Sequence, residues 1–406
     1  MISDGLIMKA MSLASSPPPA LDSRAILDAV RRVIPAQRGA TALHEPEFRG
    51  NEWGYVKECL DTGWVSSVGR FVDRFEGMLS TYTGARYAVA TVNGTAALHV
   101  CLRLAGVERG DEVLVPALTF VATANAVSYL GATPHFVDSE SRTLGLDAVK
   151  LEAYLHDLAE VRDGLCVNSR SGATIRAVVP MHTFGHPCDL DALVEVCARW
   201  NIALIEDSAE SLGSWYKGRH TGTFGRLAAL SFNGNKVVTT GGGGAILTND
   251  PVLGQRAKHL TTTARVAHQW SVVHDDVGYN YRLPNLNAAL GCAQLEQLPG
   301  FLERKRALAA RYADALHGIS GVKVLSEPKD CRSNYWLNAI LLDRPDMANR
   351  DAVLRVLNDA GLMARPAWTL MPELPMYAGC PRMDLSVAES LVRRVVNLPS
   401  SPCLVD

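Results

Sequence analysis

The stretch from Asn201 to Asp250, NIALIEDSAESLGSWYKGRHTGTFGRLAALSFNGNKVVTTGGGGAILTND, most constrains what this chain can fold into. Ile202–Ile205 is a short apolar run that ends directly in Glu206-Asp207. Leu227–Phe232 is a second apolar run, leading through Asn233-Gly234-Asn235 to a lone Lys236, and the run Gly241–Gly244 opens a third strand. In an open α/β sheet the carboxyl ends of strands face the ligand crevice, which places Asp207 where chemistry is done. A single lysine just past a strand end can serve as a nucleophile, and the glycines let backbone pass close to a bulky group.

Those residue types fit one cofactor. Pyridoxal phosphate needs a lysine for its covalent attachment and a carboxylate opposite its pyridinium nitrogen, which keeps that nitrogen protonated. Its phosphate needs donors, and Ser231 with the turn amides around it can supply some. Taken singly, Asp207 reads as a helix cap and Lys236 as a solvated loop residue. The combination reads as a site.

EDSAESLGS, SFNGNK and TTGGGGAILT resemble the aspartate, serine-lysine and glycine motifs of the DegT family of nucleotide-sugar aminotransferases, from about Leu43 to Pro402. GNEWGYVKECLDTGWVSSVG resembles the branch that makes 4-amino sugars for bacillosamine and legionaminic acid. The resemblance implies an α/β, fold-type I pyridoxal phosphate enzyme, with a mostly parallel sheet in a large domain and a smaller α+β C-terminal domain. It implies that Asp207 pairs with the pyridine nitrogen, Ser231 binds phosphate, and Lys236 is the catalytic lysine. The resemblance also assigns Glu210 to the cofactor; it stands where many members have glutamine, and Asn233 where many have histidine. Dehydratase relatives replace the lysine with histidine, so Lys236 favours transamination.

Composition agrees and excludes other classes. The chain has 406 residues, 48% hydrophobic and 20% charged, with a net charge of −2. That is an ordinary globular composition without the basic footprint of a nucleic-acid or anionic-membrane binder. Nine scattered cysteines, none spaced as CxxC, point to reduced cytoplasmic thiols and to neither a disulfide framework nor a metal site. No apolar run reaches the length of a membrane span, and the first residues lack the order of a secretory signal.

Along the chain, residues 1–42 read as a loose arm and a short helix (Arg24–Val33) ended by Pro35. Residues 43–285 read as the large domain and 286–406 as the small one. A helix around Trp53–Leu60 precedes the turn Val65–Gly69, which the resemblance puts at the mouth of the site. Strands alternating with helices from Tyr87 to Thr248 argue for a mostly parallel sheet covered on both faces. Tyr87–Val92 runs into Asn93-Gly94-Thr95, a strand–turn–helix geometry that offers free N–H groups to a phosphate. The match to the family's turn assigns Gly94 and Thr95 to the cofactor phosphate, and Phe120 to the face of its ring. His182 reads as a strand-end histidine; the resemblance puts it near substrate.

Further on, Asn287–Gln297 and Leu302–Ala315 read as two helices. In the segment GYNYR, the resemblance has Asn280 reach across a dimer interface to the partner's cofactor, which implies a homodimer with shared sites. Tyr281, Arg282 and Trp368 are candidate substrate contacts. The expected reaction moves an amino group from L-glutamate to C4 of a UDP-linked 4-keto-6-deoxy-N-acetylhexosamine. The alternatives are a catalytically silent cofactor- or sugar-binding regulator of the same fold and a Rossmann dehydrogenase; the absent GxGxxG after the first strand counts against the latter.

Overall fold

The computed structural model describes residues 21–34 and 39–405. Most of the expected arm (1–20) and Pro35 lie outside the described residues.

Seven segments form the central sheet: β1 (Tyr87–Thr91), β2 (Glu112–Pro116), β3 (Thr133–Val137), β4 (Ile175–Val178), β5 (Ala203–Asp207), β6 (Leu227–Ser231) and β7 (Gly244–Thr248). Their order in space is β1-β7-β6-β5-β4-β2-β3. From β6 to β3 every pairing is parallel. Only β7 runs the other way, antiparallel to both β1 and β6. The reason lies in the connection, since parallel strands need a long crossover and the loop 232–243 carries no helix. The ends of β1, β5 and β6 therefore share one rim, where Thr91 and Ser231 both face Gly244.

Helices cover the sheet. In chain order these are α1 (Ser23–Val33), α2 (Glu52–Thr62), α3 (Arg70–Thr83), α4 (Gly94–Leu104), α5 (Val121–Tyr129), α6 (Ala148–Leu158), α7 (Leu190–Trp200), α8 (Pro251–Thr261), α9 (Asn285–Leu316) and α10 (Met347–Asp359). The strand period of two sorts the side chains between two layers. Val113 and Val115 of β2 join the core that includes α3, α4 and α5, whereas Leu114 joins the one beneath α6 and α7. Both faces are thus buried, as an α/β sheet requires.

A four-stranded sheet, ordered β8 (Val322–Val324), β9 (Asn338–Leu342), β11 (Val395–Leu398) and β10 (Arg365–Pro366), builds the small domain. Its core takes in Ile26 and Val30 of α1, so this helix is part of the small-domain core and not of a separate arm. The two helices expected at Asn287–Gln297 and Leu302–Ala315 are one, with Pro299 inside it. An interior proline costs roughly 3 kcal/mol, but Leu298 and Phe301 on either side are buried and hold both halves in place. The expected domain boundary after residue 285 falls at the start of α9. Ala289, Cys292 and Leu295 of this helix belong to the large core, while Leu308, Tyr312 and Leu316 belong to the small one. The helix ties the domains together.

The glycine run serves the fold at one point in particular. A Cβ on Gly244 would lie 2.5 Å from the Asn93 carbonyl carbon and oxygen and 2.7 Å from the Gly94 nitrogen. The close approach expected toward a bulky group is here made by another stretch of backbone. Gly244→Ala should lower stability by about 1–3 kcal/mol, read from the urea midpoint. Gly242→Ala, where the added carbon meets nothing within 4 Å, should leave the midpoint nearly unchanged.

Candidate functional site

The end of β5 sends two neighbouring carboxylates to opposite sides. Glu206 accepts hydrogen bonds from the N–H groups of Gly222, Phe224 and Gly225, each at 2.7 Å, and lies 3.1 Å from His182 Nε2. Asp207, facing the other way, accepts from Thr123 Oγ1 at 2.7 Å and from the Ala209 N–H at 3.1 Å. Only 2% of Asp207 is exposed. Burial lifts its carboxyl above the ordinary range, against the opposing pull of Thr123, the Ala209 N–H and the charge of Lys236. No cation is in hydrogen-bonding contact with it among the described residues, and it lines a cavity shared with Lys236.

Lys236 follows β6 in a turn closed by its own N–H to the Asn233 carbonyl at 3.0 Å. Its Nζ lies 3.3 Å from Glu210 Oε1 and 3.9 Å from the centre of the Trp336 ring. The other Glu210 oxygen accepts from the Phe184 N–H at 2.9 Å. Phe184 sits in the left-handed region, at φ 56°, which turns its N–H toward Glu210. Burial pushes the Glu210 carboxyl up to about 7, with Lys236 and the Phe184 N–H pulling down and Asp207 pushing up.

At the start of α4, Asn93 caps the helix by accepting from the Ala96 N–H at 2.8 Å. The N–H groups of Gly94 and Thr95 find no acceptor among the described residues. They are the free donors that a helix N-terminus presents to an anion. Ser231 closes the cradle from β6, since a Cβ on Gly94 would come within 2.9 Å of Ser231 Cβ.

Asn93, Gly94, Thr95, Asp207, Glu210, Ser231 and Lys236 line one cavity of about 400 Å³, together with Phe120, Trp336 and Trp368. Phe120 precedes α5 and is half-exposed at the mouth, with the Trp368 ring 6.4 Å away edge-on. A lysine, a buried carboxylate, an unused pair of helix N–H groups and a free aromatic face are what pyridoxal phosphate requires, and they fit it. Gly94, Thr95, Phe120, Asp207, Glu210, Ser231 and Lys236, singled out from the sequence, are brought together here.

Four others are not. His182 does not line the cavity. It is fully buried, accepts from the Cys188 N–H at Nδ1 and shares a proton with Glu206 at Nε2, so the expected substrate contact is instead an internal one. The reason is the strand alternation, because Met181, paired with Asp207, faces the cavity and its neighbour must face away. Asn280 is exposed, outside its own chain's cavity. Tyr281 stacks on Tyr279 with ring centres 5.0 Å apart, and Arg282 bridges to Thr91 through backbone. Two site residues escaped the sequence reading. Thr123 carried no signal beyond lying three residues after Phe120. Trp336 comes from the small domain, and the sequence reading gave it no part in the site.

The Glu210 carboxyl sets a pH dependence. A group raised from 4.5 to about 7 on folding holds its proton more tightly in the folded state, so it favours folding below about pH 4.5 and that contribution is lost as pH rises toward 7. In the cofactor-free protein, Glu210→Gln should flatten the fall in melting temperature over this window. A slope equal to that of the unmodified chain would show that Glu210 titrates normally.

Comparison with known proteins gives the site its context. Residues 46–406 match the DegT/DnrJ/EryC1/StrS aminotransferase family. The chain is 38% identical over 364 residues to a GDP-perosamine synthase of Escherichia coli O157:H7, covering 89% of this chain and 93% of that protein. A GDP-perosamine synthase of Caulobacter vibrioides is 38% identical over 366 residues, with 89% and 93% covered. Among solved structures, the aminotransferase TlmJ from Streptoalloteichus hindustanus superposes with a TM-score of 0.82 at 28% identity, covering 91% of this chain and 95% of that one. The chain therefore belongs to the DegT/DnrJ/EryC1/StrS aminotransferase family, and it is a pyridoxal-phosphate-dependent nucleotide-sugar aminotransferase.

Proposed function

We propose that this enzyme transfers the amino group of L-glutamate to C4 of a nucleotide-linked 4-keto-6-deoxy sugar, with Lys236 as the catalytic residue. The observation that carries the reading is the convergence of Lys236, Asp207 and the open turn Gly94-Thr95 on one cavity. In this reading Asp207 faces the pyridine nitrogen, Gly94, Thr95 and Ser231 receive the phosphate, and Phe120 covers one ring face. Bound there, the cofactor supplies a sink for the electrons left on the amino-bearing carbon. Lys236, its amine freed, would carry the proton at Nζ from that carbon to the adjoining cofactor carbon, and in the second half of the cycle from there to the sugar carbon. Glu210 Oε1, 3.3 Å from Nζ, would hold the free amine in place between these steps. Water is limited by Trp336 and Trp368, which wall the cavity from the small-domain side.

The nucleotide separates two readings. Residues 50–69 resemble the bacillosamine and legionaminic acid branch, which favours a UDP-linked N-acetylhexosamine. The relatives named GDP-perosamine synthase favour a GDP-linked sugar. We further infer a homodimer with shared sites. Asn280, exposed outside its own cavity beside Tyr279, Tyr281 and Arg282, supports that reading, because Tyr and Arg are enriched at interfaces. The unpaired state of all nine cysteines accords with a reducing, cytoplasmic setting.

Borohydride treatment of the loaded protein should fix cofactor mass on Lys236, and Lys236→Ala should abolish transamination while retaining cofactor. Offered glutamate with UDP- and GDP-linked 4-keto-6-deoxy sugars, the enzyme should aminate one class, identified by product mass. Trapping on another lysine, or no amination of either class, would contradict the reading.

A further inference from the structure

The mechanism requires Lys236 to be free of the cofactor for part of each cycle, and the structure shows where a free Lys236 rests. Its Nζ lies over the Trp336 indole, 3.9 Å from the ring centre, with Glu210 Oε1 at 3.3 Å on another side. The side chain of Lys236 is only 13% exposed. Trp336 is held by its ring nitrogen and by its backbone on both sides. Its Nε1–H donates to the Asn235 carbonyl at 2.7 Å, one residue before the lysine it supports. The Trp336 N–H donates to Asn334 Oδ1 at 2.8 Å, and Asn334 in turn donates to the carbonyls of Glu210 and Leu212 at 2.8 and 2.9 Å. The Trp336 carbonyl accepts from Lys305 Nζ at 3.2 Å. Lys305 is itself fully buried in α9 and donates also to the Ser400 carbonyl at 2.6 Å. These contacts fix the Trp336 backbone on both sides and tie the ring by its one polar atom, and an aromatic face attracts an ammonium group placed over it.

We propose that Trp336 is a positioning residue for Lys236, a fixed aromatic seat that keeps the free amine inside the cavity and within reach of Glu210 whenever it is not bonded to the cofactor. The small domain thereby sets the position of a large-domain lysine, through Asn334 and Lys305. The proposal rests on the reading that Lys236 is the reactive lysine. The charged groups that bear on its amine are Glu210 and Asp207.

The test is chemical labelling of the full chain freed of cofactor, with a small amine-acylating reagent and peptide mass analysis. Loss of the seat both uncovers Nζ and removes the stabilisation of its cation, so Lys236 should be acylated about 3- to 10-fold faster in Trp336→Leu. The exposed Lys57 serves as internal standard and should keep its rate. Trp336→Phe, which retains a ring but loses the Nε1–H anchor, should fall between; it also guards against misfolding of the leucine variant. Lys305→Met should raise Lys236 labelling in the same direction by loosening the Trp336 backbone. Borohydride trapping of each loaded protein is run in parallel. If trapping falls on Lys236 and its acylation in the Leu and Phe variants matches the unmodified chain, the seat is refuted while the catalytic reading stands. If trapping falls elsewhere in the unmodified chain, the catalytic reading fails and the proposal fails with it.

Discussion

The structure depends on a carboxylate kept dry. Asp207 ends a central strand, almost wholly buried, with one oxygen on Thr123 and the other on a backbone N–H. A buried ionised carboxylate without a cation is held only at considerable expense of free energy. The surrounding elements make this tolerable and useful at once. Thr119 supports Thr123 at 2.9 Å, the turn after β5 supplies the Ala209 N–H, and Lys236 contributes its charge from across the cavity. A ring nitrogen placed opposite would complete the set as a charge-assisted pair, and its proton would be retained because the alternative is an unpaired buried anion.

Sequence patterning reached far into this arrangement because strand ends have chemical consequences. The short apolar runs at Tyr87–Thr91, Ala203–Asp207 and Leu227–Ser231 put Asn93, Asp207 and Lys236 on one rim once the strands are parallel, and this rim was legible before any coordinates. The glycine run was legible as a close approach, but not its partner, since the backbone of Asn93 and Gly94 is 150 residues away in sequence. His182 was misplaced by one step of alternation. Its neighbour Met181 faces the cavity, whereas His182 pairs with Glu206 on the far side.

Contributions from the small domain were the least legible. Trp336 and Trp368 reach the site only after α9 has crossed from one core to the other and the small sheet has folded back. Nothing in its local sequence distinguishes Trp336 from a core tryptophan, and Trp368 was named as a candidate contact only through the family resemblance. Pro299 concealed the continuity of α9 for the same reason, because its tolerance depends on burial of Leu298 and Phe301 and not on local propensity. Asn280 is exposed outside its own chain's cavity, so the interface role proposed for it has no counterpart in the packing of one chain.

The central claim is that the buried Asp207 exists to hold a proton on the ring nitrogen of the cofactor. The direct measurement is the ¹⁵N chemical shift of that nitrogen in enzyme loaded with labelled pyridoxal phosphate. The account predicts the shift of a protonated pyridine nitrogen throughout the neutral pH range, and its replacement by the unprotonated value in Asp207→Asn. An unprotonated nitrogen in the unmodified enzyme at neutral pH would contradict it.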